Sequence, residues 1–78
     1  MVFDFGKLRG RIIEKYGSCA AFAADVDLPE SALSNRLNNR VKISADEIIL
    51  WSQPDKLDIA PEDVHLFFLQ PKFEKSNI

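Results

Sequence analysis

The chain has a single cysteine, Cys19, so no internal disulfide framework can hold it together. It also has a single histidine, His65, and no Cys/His cluster at metal spacing, which leaves apolar burial as the stabilising term. A reducing, cytoplasmic setting suits that composition. Nowhere do eighteen consecutive apolar residues occur, and no long apolar stretch follows basic residues at the N-terminus. Neither membrane spanning nor secretion is therefore expected. No glycine-rich phosphate loop, nucleophile motif, metal pair or inward-pointing carboxylate couple is visible, so the chain reads as a non-enzyme with no cofactor. Alternating β-branched strands, internal repeats and low-complexity tracts are missing too. What remains is an all-α class of about five helices.

What is present fits one small domain. At 78 residues, with 46% hydrophobic and 28% charged side chains, the chain can bury a single modest core. The domain is expected over residues 1–70, with a tail over 71–78. The formal net charge of −2 divides unevenly. Residues 1–42 hold seven Lys/Arg against five acids, a balance of +2, whereas residues 43–78 hold three lysines against seven acids, a balance of −4. A polyanionic partner would meet the first half and be repelled by the second.

Hydrophobic spacing places the helices. Phe5, Leu8, Ile12 and Tyr16 recur at three and four residues, with Lys7, Arg11 and Lys15 in an i, i+4 row elsewhere on the surface. Asp4 can cap this helix, Gly17 can end it in the left-handed conformation, and Ser18 can cap the next. The second helix, roughly Ser18 to Asp25, is alanine-rich with Phe22 as its large apolar anchor. Asp27 falls at a turn that calls for positive φ, and Pro29 opens a third helix reaching about Asn38. Ser44-Ala45-Asp46-Glu47 has the serine and glutamate of a capping box, followed by Ile48, Ile49, Leu50 and Trp51, of which Trp51 and the two isoleucines read as core. Pro54 ends that helix, and Gln53 to Ile59 reads as a polar connection. Pro61 opens a fifth helix and Pro71 stops it.

The third helix carries the chemistry. On a helical wheel Glu30, Ser31, Ser34, Asn35 and Asn38 share one arc, opposite Pro29, Leu33 and Arg36. Short amides and hydroxyls are poorer helix formers than the lysine and glutamate usual on exposed helix faces, and so need another reason. Base reading supplies one. Asn pairs with adenine in a bidentate way, Ser with several bases, and Glu accepts from the cytosine amino group. Glu30, Ser31, Ser34 and Asn35 are the candidate base contacts. Arg40 and Lys42 follow in the next loop, placed for flanking phosphates.

The stretch "SCAAFAADVDLPESALSNRLNNR" resembles the helix-turn-helix of small phage repressor and Cro-like proteins, the lambda-repressor-like or XRE group. Ser18, Phe22, Ala23, Leu28, Leu33, Ser34, Leu37 and Asn38 match its pattern. "KLRGRIIEKYGS" is similar to the opening of regulators in the lysogeny regions of Gram-positive phages. The likeness covers about residues 4–69 and is strongest over 18–40. It implies a five-helix DNA-binding domain, with a helix-turn-helix at about 18–38. The resemblance further implies that the third helix would enter the major groove in a bacterial cytoplasm, that Ser18 at the start of the second would meet a phosphate, and that Asn38 and Asn39 would join Arg40 and Lys42 as phosphate contacts. Three positions depart from the pattern: Asp27 replaces the turn glycine, Asn39 the loop glycine, and Cys19 a glutamine that bonds a phosphate. Arg36 turns away from the groove face; its stem can lie over apolar surface while its head reaches solvent or a phosphate.

The expected function is thus sequence-specific binding to a double-stranded DNA operator by a transcriptional regulator, as a homodimer on a pseudo-palindromic site. The alternative is an antirepressor or co-regulator on the same scaffold, whose partner is a phage repressor protein. Phe67, Phe68, Leu69 and Phe73 bear on that choice. Adjacent large apolar residues on one short helix cannot all face inward, which favours a partner chain covering them over a tail folding back. His65 reads as a structural histidine and Cys19 as a quiet small residue.

Overall fold

The computed structural model describes residues 2–72. Apolar residues three and four apart wind into α1 (Gly6–Tyr16), which buries Leu8 and Ile12 completely. The Asp4 carboxylate accepts the Gly6 N–H at 2.8 Å, supporting the helix start although Phe5 holds the cap position. Gly17, at φ 81°, closes α1 by donating its N–H to Ile13 O. Ser18 caps α2 (Cys19–Asp25), its Oγ accepting from Ala21 N at 3.1 Å. Pro29 takes the N-cap position of α3 (Glu30–Leu37), which buries Leu33 and Leu37. A complete capping box opens α4 (Ala45–Trp51), as its sequence predicts: Glu47 N donates to Ser44 Oγ and Ser44 N to Glu47 Oε1. A 3-10 turn over Pro61–Asp63 runs into α5 (Val64–Phe68).

The all-α class holds. Among the described residues there is no strand, only an isolated antiparallel bridge between Phe3 and Pro71. Asp4 N donates to Gln70 O and Lys72 N to Val2 O on either side of it, so Pro71 and Lys72, expected in a tail, are tied to the N-terminal segment. No helix among the described residues is long and apolar enough to cross a membrane.

An aromatic path joins four helices through the core. Tyr16 on α1 meets Phe22 on α2 edge-on at 5.0 Å, Phe22 meets Trp51 on α4 edge-on at 5.2 Å, and Trp51 lies 6.2 Å from Phe68 on α5. Phe22 and Trp51, each at most 1% exposed, belong to the same buried cluster as Leu33 and Leu37 of α3.

The structure revises four expectations. The connection over 53–59 is not simply polar, because Leu57 and Ile59 are buried in the core. The chain turns back there with Asp58 at φ 53°, and Leu57 N and Ile59 N donate to Trp51 O and Ser52 O at the end of α4. Arg11 does not stand in a surface row. Its Nη1 donates to Leu57 O at 2.7 Å and Asp58 O at 2.9 Å, pinning that connection to α1. Ile49 is exposed rather than core, with Leu50 exposed beside it, since α4 turns only Trp51 fully inward. Phe67 and Phe68 do both face inward: Phe68 stacks toward Trp51, and the Phe67 ring is covered by Lys7 and Arg11 at 5.4 and 5.0 Å.

Candidate nucleic-acid interface

A four-residue connection, Val26 to Pro29, joins α2 to α3, and its geometry depends on one residue. Asp27 sits at φ 58°, the left-handed region expected for it, and Leu28 N reaches back to Ala23 O at 2.9 Å. With Leu33 and Leu37 pointing into the core, the helical period turns Glu30, Ser31 and Ser34 to solvent and leaves Asn35 and Arg36 half-buried. Asn39, at φ 63°, ends α3, and Arg40 N returns to Asn35 O at 2.8 Å. That cap presents Arg40 and Lys42, both exposed, beside the end of the helix.

Side-chain bonding divides the predicted site residues. Glu30, Ser31 and Asn35 make no side-chain hydrogen bond or ion pair with any described residue, and neither do Arg40 and Lys42. Ser18 Oγ accepts one bond from α2 and keeps its own proton for a partner. Ser34 Oγ accepts from Asn38 Nδ2 at 3.2 Å. Asn38 itself folds back on α3, donating also to Ser34 O, and accepts from Arg9 Nη2 at 3.2 Å. Asn39 is more firmly engaged: its Oδ1 accepts from Phe3 N and its Nδ2 donates to Phe3 O, both at 2.9 Å. The amide thus copies a backbone pair and clamps the N-terminal segment to the loop carrying Arg40 and Lys42. So Asn38 and Asn39, expected at phosphates, are tied into the frame that holds the surface.

Two arginines set the pose of α3. Arg36 Nε meets Glu47 Oε2 at 2.8 Å while its Nη1 donates to Ala32 O, so the head expected at solvent or a phosphate joins α3 to the capping box of α4. Both side chains are only about one-fifth exposed, at 18% and 20%. Arg9 donates to Leu37 O at 3.3 Å, placing a cation against the carbonyl end of α3, where the helix dipole favours it. No local pattern singles out Arg9; it lies 28 residues from its partner.

A family model described as a protein of unknown function, DUF739, matches residues 1–71. The chain belongs to this family. The comparison with curated proteins finds no match. The family description names no activity, so the chemistry of this DUF739 protein has to be read from its own surfaces.

Charge around α2 and α3 is partly neutralised within the fold. Asp25 accepts from the Tyr16 hydroxyl at 2.6 Å and pairs with Lys56 Nζ at 3.0 Å. The Tyr16 bond, then the Lys56 bond, holds the Asp25 carboxyl below the usual carboxylate range. Burial, reinforced by Asp25, pushes Tyr16 up to about 12, and the bond to Asp25 raises Lys56. Asp27 and Glu30 remain as the acids without an ion pair on this part of the described chain. Of the partner surface expected over Phe67, Phe68, Leu69 and Phe73, only Leu69 is exposed among the described residues, at 49%; Phe73 lies outside them.

Proposed function

We propose that this protein is a sequence-specific DNA-binding transcriptional regulator of phage or prophage type, with α2 and α3 acting as a helix-turn-helix and α3 lying in the major groove. The observation carrying this reading is the polar edge of α3, where exposed Ser31 and half-buried Asn35 hold donors and acceptors that nothing else in the described chain uses. An amide and a hydroxyl one helical turn apart can address neighbouring base edges, and Glu30 can accept from cytosine. Arg40, Lys42 and the Ser18 hydroxyl would hold phosphates on either side and set the register without reading sequence. No catalytic step and no cofactor belong to this mechanism. With so few free cations one copy binds weakly, so a homodimer on a two-fold operator, placing two α3 helices about one duplex turn (~34 Å) apart, is the working assembly.

The test is a comparison of duplexes. Sequences enriched from a random pool by the wild-type protein serve as the specific site, and unselected duplex as the control. Asn35→Ala and Ser31→Ala should each cost about 1–3 kcal/mol on the selected site and little on the control. Arg40→Ala should weaken both alike and flatten the salt dependence. Equal losses on the two duplexes for Asn35→Ala would remove α3 from base reading.

A further inference from the structure

On the other side of the α4 sequence lies a second surface, which shares no residue with α3. The second half of α4, the connection after it and the start of α5 enclose an open groove of about 580 Å³. Ile48, Ile49, Ile59, Ala60, Pro61 and Val64 give it apolar walls. Ile49 at its lip is 61% exposed, more than any other large apolar residue described, and Leu50 beside it is 43% exposed. Exposed aliphatic residues in sequence next to an apolar trough mark an interaction surface rather than scattered surface apolar groups. The volume falls within the range of about 300–1,000 Å³ typical of binding clefts, enough for several side chains rather than one.

Charge names the occupant. Asp58 lines the groove, Glu62 and Asp63 sit between its lining residues Pro61 and Val64, Asp55 follows Pro54, and Asp46 lies one helical turn before Ile49. None of these five carboxylates has an ion pair among the described residues. The segment's own lysine, Lys56, is drawn away to Asp25, and Glu47 is the acid that Arg36 neutralises. An apolar trough lined by Asp58, with four more unpaired acids within three residues of its lining in sequence, repels nucleic acid and anionic lipid alike. A second copy offers no matching piece either, because α1, the helix richest in Lys/Arg, already buries its apolar Leu8 and Ile12 in its own core and turns Arg11 inward.

We infer that the α4–α5 groove binds an amphipathic helix of a partner protein, one that lays aliphatic residues at i, i+3, i+4 and i+7 on Ile48, Ile49, Ile59 and Val64 and sets Lys/Arg against Asp58, Glu62 and Asp63. Helix-in-groove docking uses this anchor spacing, and the rim charges steer the approach and reject acidic helices. This surface works whether or not α3 reads DNA.

The experiment titrates the ¹⁵N-labelled full chain with a synthetic amphipathic peptide carrying leucine at that spacing and lysine on its flanks. Its counterpart with glutamate for lysine is the control. The lysine peptide should shift the amides of Ile48, Ile49, Ser52, Ile59 and Val64, and the glutamate peptide should not. Ile49→Lys, at a position too exposed to unfold the chain, should weaken the lysine peptide by at least about tenfold, as loss of a central anchor does. The triple variant Asp58→Asn, Glu62→Gln, Asp63→Asn should weaken it several-fold and remove the salt dependence. Asn tolerates the positive φ at 58 at least as well as Asp, so that variant keeps the fold. Equal binding of both peptides, shifts confined to α2 and α3, or full affinity in Ile49→Lys would overturn the proposal. It is overturned equally if groove amides shift on concentrating the protein alone, which gives the groove to a second copy, or on deleting residues 73–78, which gives it to the chain's own tail.

Discussion

The polar edge of α3 and the exposed face of α4 lie on consecutive helices that share one buried cluster, yet they leave opposite things unbonded. On α3 the uncommitted groups are short and polar, Ser31 and Asn35, with free cations in the adjoining loop. On α4 and its connection they are aliphatic, Ile49 and Leu50, with free carboxylates around them. The division of charge between the two halves of the sequence is thus a division of surfaces, and one core supports two exposed faces of different chemistry. Buried contacts carry the stability, which leaves both exposed faces open to other requirements.

The largest expected effect falls on the Arg36–Glu47 contact, the side-chain link between the two regions. Arg36→Ala leaves a largely buried carboxylate without its partner and should cost about 1–3 kcal/mol of unfolding free energy. Glu47→Ala should cost more, since the same carboxylate also accepts Ser44 N in the capping box, a feature worth about 1 kcal/mol by itself. Glu47→Gln keeps the cap and loses the charge, so it should fall between wild type and Glu47→Ala. Urea unfolding followed by circular dichroism gives all three. A coupling energy near zero between Arg36→Ala and Glu47→Gln in a double-mutant cycle would mean that α3 and α4 are independent surfaces.

How much of this contrast the chain announces depends on range. Local signals read well: Gly17 and Asp27 take the left-handed conformation their positions call for, Asn39 takes it in place of a loop glycine, and Ser44 with Glu47 forms its capping box. The α3 edge was equally legible, because the 3.6-residue period alone separates Ser31 and Ser34 from Leu33 and Leu37. What stayed hidden acts over distance. Nothing near Phe67 says that Lys7 and Arg11, most of the chain away, will cover its ring, and nothing near Asn39 says that Phe3 will take its amide. Leu57 reads as part of a polar loop because its burial depends on the turn at Asp58 and on Arg11, neither of which is periodic. The α4 groove was missed for the converse reason: Ile48 and Ile49 look like core until the shortness of α4 shows that only Trp51 can fully face inward.

A smaller effect should appear in pH dependence, on the α2 side of the comparison. Asp25 has its carboxyl held below the ordinary value of 3.8, so its contribution is present above that value and is lost as pH falls through the lowered one. Tyr16 has its hydroxyl raised from 10.0 to about 12, so its contribution is present below pH 10 and is lost as pH climbs toward 12. Tyr16→Phe removes the bond that links them. The stability gap between wild type and Tyr16→Phe, measured by urea unfolding at several pH values, should be widest from about pH 5 to 9 and narrow at both ends. A gap of the same size at the acid and alkaline ends as in between would mean that the Tyr16 hydroxyl contributes independently of the charge on Asp25. Asn35→Ala, by contrast, should leave the whole profile unchanged, since no titrating group bonds its side chain.

The smallest effect compares one substitution on the two surfaces. Ser31 Oγ is exposed, so water satisfies it in the folded and unfolded states alike, and Ser31→Ala should leave stability within about 0.5 kcal/mol of wild type. Ser52 is different. Its Oγ, in the wall of the α4 groove, is buried with no hydrogen-bond partner among the described residues, a lost hydration that nothing returns. Ser52→Ala removes that cost and should stabilise the chain by about 0.5–1 kcal/mol. The two changes delete the same atom, so their difference isolates burial. A loss of stability in Ser52→Ala would place a bonded partner at that oxygen, and the groove would then present a polar anchor point where its wall now reads as apolar.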